Sequence, residues 1–117
     1  MADEREELLR GAYDAFNARD IERALVLMTP DVDWPNGMEG GRVHGHEEVR
    51  LYWERQFRMI DSHVSPERFD PLDDGRVAVR VHQVVHSVDG DVLSDGYVTH
   101  VYSFQDGLVS RMEIVPM

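Results

Sequence analysis

RVAVRVHQVVHSVDGDVLSDGYVTHVYSFQDGLVSRMEIV, residues 76–115, decides the fold. Two long runs rich in β-branched and aromatic residues, Arg76 to Val88 and Val92 to Phe104, flank Asp89-Gly90. That dipeptide accepts the left-handed angles of a tight hairpin turn. A second Asp-Gly, Asp106-Gly107, leads into a third run, Leu108 to Val115. Three strands joined by short turns predict a curved antiparallel sheet as the body of the molecule.

A regular two-residue loop at Asp89-Gly90 sets Val79 opposite His100 and Val77 opposite Tyr102. Val77, Val79, Val81, Val98, His100, Tyr102 and Phe104 then share one face, the inner one. His100 is thus an ionisable group on an otherwise apolar face. A histidine titrates near pH ~6.5 in water, so its surroundings can make it an acid or a base. The plainer alternative is a buried neutral histidine, hydrogen-bonded for structure. His82 falls opposite Tyr97 on the outer face in this register. A bulge at Gly96 would instead bring His82, Val84 and His86 inward beside His100. His86 lies nearer the turn, toward solvent.

Upstream of the sheet, Asp3 to Asn17 reads as an amphipathic helix. Leu8, Leu9, Ala12, Tyr13 and Phe16 form its apolar face, and four carboxylates crowd its first turn. Asn17 to Asp20 breaks it. Asp20 caps a short second helix, Ile21 to Met28, which Thr29-Pro30 ends. Asp31 to Pro35 is a short strand with Val32 and Trp34 on one side, so Asp31 and Asp33 face water. Asn36-Gly37 turns toward a return strand at Arg42 to His44, with Gly40-Gly41 marking a weak point or bulge. His46 to Ile60 forms a third helix with Val49, Trp53, Gln56 or Phe57, and Ile60 inward. Ser62 to Phe69 is an edge strand carrying Pro66, and 70–75 is a loop. Segregated helices and antiparallel strands mean α+β.

The 117 residues are read as one domain, 1–117. With 23 acidic against 12 basic residues the formal charge is −11, which argues against nucleic acid and against an anionic membrane surface. No cysteine is present, so disulfides, thiolate nucleophiles and zinc-thiolate sites are excluded. Met1 to Glu7 is too charged for a signal peptide and no apolar run approaches ~20 residues, so the expected location is cytoplasmic.

Metal binding fails on spacing. His82 and His86 are four apart on a strand, ~13 Å at ~3.3 Å per residue. His44 and His46 lie close enough but lack an identifiable third ligand, and a role at the start of the helix suffices for them. No metal and no cofactor is expected. Tyr13, Phe16, Trp34, Trp53, Phe57, Tyr102 and Met112 supply enough aromatic and flexible apolar material to line a pocket, with core packing as the alternative for each. Asn36 would orient a ligand carbonyl or simply serve the Asn36-Gly37 turn.

Four stretches together resemble the nuclear-transport-factor-2-like superfamily in its SnoaL-like branch. They are Phe16-Asn17-Ala18-Arg19-Asp20, Asp31-Val32-Asp33-Trp34, Val43-His44-Gly45-His46-Glu47-Glu48-Val49, and Tyr102 through Val109. The resemblance spans about Glu6 to Val115 and contains no catalytic signature. It implies a cone-shaped α+β fold, a strongly curved mixed or antiparallel sheet wrapped around the N-terminal helices as in a cystatin-like barrel. It further implies an internal pocket for a small, mostly apolar organic ligand and a homodimer through the outer sheet face. Members include isomerases, dehydratases, polyketide cyclases and proteins that only bind.

The resemblance also permits a residue-by-residue comparison with ketosteroid isomerase, an enzyme whose site tunes carboxyl pKa values. The carboxylate base of that enzyme would fall near Trp34-Pro35-Asn36, where no carboxylate stands. Its donor aspartate falls on or near His100, and Tyr13 sits one position out of register with its donor tyrosine. The missing base argues against ketosteroid isomerisation. Two readings follow. One is a cofactor-independent acid–base enzyme of dehydratase, isomerase or cyclase type using His100, with His82 as a second candidate. The other is a non-catalytic ligand-binding or dimeric interaction module.

Overall fold

In chain order the protein forms helices α1 (Glu4–Asn17) and α2 (Ile21–Leu25) and strands β1 (Met28–Pro35) and β2 (Arg42–His44). Helix α3 (Gly45–Met59) and strands β3 (Ile60–Pro71), β4 (Val77–Ser87), β5 (Val92–Gln105) and β6 (Leu108–Pro116) follow. The computed structural model describes residues 4–37 and 39–116, so the expected helix start at Asp3 lies outside the described residues. The six strands make one curved sheet in the order β2-β1-β6-β5-β4-β3. Every neighbouring pair is antiparallel except β1 with β6, which makes the sheet mixed. Helices α1 and α3 lie on its concave face, α1 against β3 and α3 against β1 and β3.

The register is the expected one, reached by another route. Val77 pairs with Tyr102, Val79 with His100 and His82 with Tyr97. The loop, however, takes three residues: the Ser87 amide bonds the Asp91 carbonyl at 2.8 Å, with Gly90 at φ 96° inside. A bulge between Val85 and His86 absorbs the extra residue and restores the pairing below it. Gly96 sits in regular register opposite Gln83, so no bulge turns His82 inward. The Asp106-Gly107 turn has both central residues at positive φ, 54° and 79°, as a two-residue hairpin of matching twist requires.

Helix α1 ends just before a residue in the left-handed region. Arg19 adopts φ 62°, the Arg19 amide bonds the Phe16 carbonyl and the Asp20 amide bonds the Ala15 carbonyl, which closes the last turn. Asp20 then caps α2 by accepting from the Arg23 amide. This second helix stops at Leu25, three residues short of the expected Met28. The Val109 amide bonds the Leu27 carbonyl at 3.0 Å, and Met28 pairs with Val109, so β6 captures the chain into β1. Thr29-Pro30 consequently lies inside β1. The register shift between Met28 and Asp33 is where a residue without an amide hydrogen is tolerated.

β3 occupies the sheet edge, and Pro66 flanks its bulge. The core joins α1, α3 and the concave face through Leu9, Val32, Val49, Val77, Val79, Val81 and Val109, all essentially inaccessible. Tyr52, absent from the expected inward stripe of α3, is buried beside Trp53.

Candidate functional site

Alternation along each strand decides what reaches the interior. β3 turns Ile60, Ser62 and Val64 inward, β4 turns Gln83 and Val85 inward beyond the packed valines, and β5 and β6 contribute Tyr102, Met112 and Ile114. With Tyr13 and Phe16 from α1 and Tyr52, Trp53 and Gln56 from α3 they enclose a cavity of about 280 Å³. Trp34 lines it from β1 and meets Trp53 edge-on at 5.4 Å. Apart from tyrosines, the described lining carries no ionisable side chain.

The polar end of the cavity is a chain of three side chains. The Tyr102 hydroxyl donates to the Tyr13 oxygen at 2.8 Å. Tyr13 in turn lies 2.8 Å from Nδ1 of His100 and donates to it, which leaves the imidazole proton on Nε2. The Tyr13 and His100 rings stack at 5.9 Å, nearly parallel. Burial lowers the His100 pKa to about 4, so the ring is neutral at pH 7. Burial and the neighbouring Tyr102 push the Tyr13 hydroxyl well above its ordinary range. Burial raises Tyr102 too, and the hydrogen bond with Tyr13 only partly opposes it. Three neutral groups in series have a useful property. If the His100 proton moves to Nδ1 and both hydroxyls rotate, the polarity of the whole chain reverses. In one polarity the Tyr102 oxygen is free to accept; in the other its hydroxyl is free to donate.

The structure sorts the sequence-derived residues. Tyr13, Trp34, Trp53, Tyr102 and Met112 line the cavity. His100 is buried, on the expected face, and reaches the cavity through Tyr13. Tyr13 makes both contacts despite its one-position offset from the ketosteroid isomerase pattern. His82 stays on the outer face, 2.6 Å from Asp95 and stacked on Tyr97 at 4.9 Å, so it is not brought together with His100. Phe57 packs behind Phe16 at 5.1 Å and under the Arg19 guanidinium at 4.4 Å, outside the lining. Asn36 is a turn residue: its backbone bonds Gly40 and Gly41 and its side chain accepts from the Glu39 amide at 2.9 Å. His46 donates to the Met28 carbonyl at 3.0 Å, and among the described residues no three His, Asp or Glu converge on a metal position.

Asp33 corrects the expectation that it faces water. Arg42 and Arg111 clamp it, and its side chain is only 22% exposed. Burial alone would raise its pKa; the Arg42 hydrogen bond and the charges of Arg42 and Arg111 outweigh that and hold it low. Sequence reasoning found Phe16 but missed Tyr52, Gln56, Ser62 and Gln83 as lining. For Ser62 and Gln83 the signal was present: each stands two residues from an inward valine, Val64 and Val81, on its own strand.

This architecture is that of a cone-shaped α+β domain of nuclear-transport-factor-2-like type. The chain belongs to the SnoaL-like domain family, whose pattern matches residues 9–112. A nuclear-transport-factor-2-like protein of unknown function from Burkholderia pseudomallei is 28% identical, with TM-score 0.86 over 99% of this chain and 92% of its own. TerC, solved with polyporic acid, is 29% identical, with TM-score 0.85 over 98% of this chain and 92% of its own. A Mycobacterium tuberculosis protein solved with estradiol-17beta-hemisuccinate shares the fold at 20% identity, with TM-score 0.82 over 97% of this chain and 93% of its own. No curated protein matches the sequence.

Proposed function

We propose that the protein binds a small, mostly aromatic or alicyclic molecule in its cavity, with a carbonyl or hydroxyl of that ligand on Tyr102. One observation carries this reading: a largely apolar cavity is lined by both tyrosines of a hydrogen-bonded Tyr102–Tyr13–His100 chain. TerC, co-crystallised with polyporic acid, supports a small-molecule ligand. A second reading, an acid–base isomerase, dehydratase or cyclase, draws on the same chain. The chain would place a hydroxyl donor on a carbonyl where negative charge develops, with neutral His100 donating to Tyr13 from Nδ1 at its far end. The described lining supplies no carboxylate base, which favours binding over proton abstraction. His82, on the outer face, takes no part in either reading.

The proposal includes residues 1–117 as one unit, a cytoplasmic location, and a homodimer through the outer sheet face, where Tyr97 and Val115 are exposed. Both tryptophans of the chain line the cavity, so their fluorescence reports its occupancy directly. Cyclic ketones, enones and hydroxy-aromatics should quench it saturably, and Tyr102→Phe should weaken binding about tenfold, the value of one hydrogen bond. Binding that Tyr102→Phe leaves unchanged overturns the assignment. Mass spectrometry of the incubated compound separates the readings, since an altered product requires catalysis.

A further inference from the structure

Ser62 is 1% exposed, it lines the cavity, and its Oγ finds no hydrogen-bond partner among the described residues. Its neighbours Asp61 and His63 are exposed while Ile60 and Val64 line the cavity, so alternation aims the hydroxyl inward. A buried hydroxyl without a partner is disfavoured, and a valine such as Val64 or Val85 would sit there at no such cost. Gln83 lies beside it. Ser62 pairs with Val85 and Gln83 with Val64, which makes Ser62 and Gln83 diagonal neighbours on the inner face. Together they offer a hydroxyl and a carboxamide, donors and acceptors both, to one ligand atom.

This pair stands away from Tyr102 and Tyr13. Helix α1 runs antiparallel along β3: Arg10 lies over Phe69, Asn17 bonds Val64 through both its amide groups, and Arg19 pairs with Asp61. From the Asn17–Val64 contact, Tyr13 lies one helical turn toward Phe69 and Ser62 two strand residues the other way. Those steps, about 5.4 Å and about 6.6 Å, add to roughly 12 Å between the backbones of Tyr13 and Ser62.

We propose that Ser62 and Gln83 form a second polar anchor, and that the ligand is a two-ring molecule with an oxygen function at each end. This rests on the cavity reading above and names its ligand class. The test is isothermal titration calorimetry of the full chain with biphenyl, para-hydroxybiphenyl and para,para′-dihydroxybiphenyl. The dihydroxy compound should bind about tenfold tighter than the monohydroxy one. Ser62→Ala should erase that advantage and leave the ligand-free protein at least as stable as before. Equal affinity for the two phenols overturns the second anchor alone, provided monohydroxy binding still depends on Tyr102. An advantage that survives Ser62→Ala, or a ligand-free Ser62→Ala that melts lower, overturns it too. No heat with any of the three compounds overturns the anchor together with the cavity reading.

Discussion

Replacing His100 with phenylalanine should change how stability depends on pH, in a direction that burial fixes. In the folded protein burial holds the His100 pKa at about 4, against an ordinary value of 6.5. The unfolded chain therefore binds more protons than the folded one between those values, and stability rises with pH across that window. The contribution is complete above pH ~6.5 and is lost as pH falls toward 4. Integrated down to pH 4, it comes to about 3 kcal/mol for this one group. Phenylalanine keeps the ring volume but removes both the titration and the acceptor of the Tyr13 hydroxyl. At pH 7 that unpaired hydroxyl should cost the variant about 1–3 kcal/mol. At pH 4 the wild type will have given up about 3 kcal/mol that the variant never had. The two stability curves should converge and then cross. Urea unfolding of both proteins from pH 8 to pH 4 measures this, because the many carboxylates shared by the two chains cancel in the difference. A difference that stays constant between pH 6.5 and 4, or widens in favour of the wild type, would refute a buried neutral His100.

Tyr13 is the middle of its chain and Tyr102 the end, so Tyr13→Phe should destabilise more. It strands two buried partners at about 1–3 kcal/mol each, where Tyr102→Phe removes one bond worth about 1 kcal/mol; thermal unfolding of the pair gives the ranking. Arg19→Ala should cost about 1–2 kcal/mol, since it keeps the strained φ of 62° and loses the stacking over Phe57. Arg19→Gly should recover about 1 kcal/mol of that by relieving the backbone, and equal urea midpoints for the two variants would refute strain at this position. Gly45→Ala, at φ 81° with a new methyl 3.4 Å from the Pro30 carbonyl, should cost at least about 1 kcal/mol in the same assay.

The sheet was readable because its information is local and redundant. Runs of β-branched residues broken by Asp89-Gly90 and Asp106-Gly107 identify three strands, and the period of two tells which residues share a face. The facing of His100 survived an error about the loop only because the Val85–His86 bulge compensates the third loop residue. Both features depend on how the twisted strands close, which no dipeptide encodes. The short second helix shows the opposite case. Nothing in Ile21 to Met28 marks Leu25 as its end; a strand more than eighty residues later, through Val109, takes the chain away from helix.

The site was harder to read, for reasons of chemistry. Sequence reasoning looks for an ionisable group and finds His100, then asks what that group does to a substrate. Burial changes the question. With its pKa at about 4 and the Tyr13 ring stacked on it, His100 reaches the cavity only through hydroxyl groups. The residues that line the cavity include tyrosines, tryptophans, a serine and glutamines, types that are silent in sequence because each is common in ordinary packing. Their significance comes from what they lack. Tyr102 and Tyr13 complete each other and His100, so that end is satisfied before any ligand arrives. Ser62 is not satisfied, and only the three-dimensional arrangement shows it. A pocket with one self-sufficient polar end and one deficient end discriminates at the deficient end, because a ligand lacking the matching group leaves Ser62 as it was. Selectivity among ligands should therefore track β3 and β4, and capacity to hold any of them should track Tyr102.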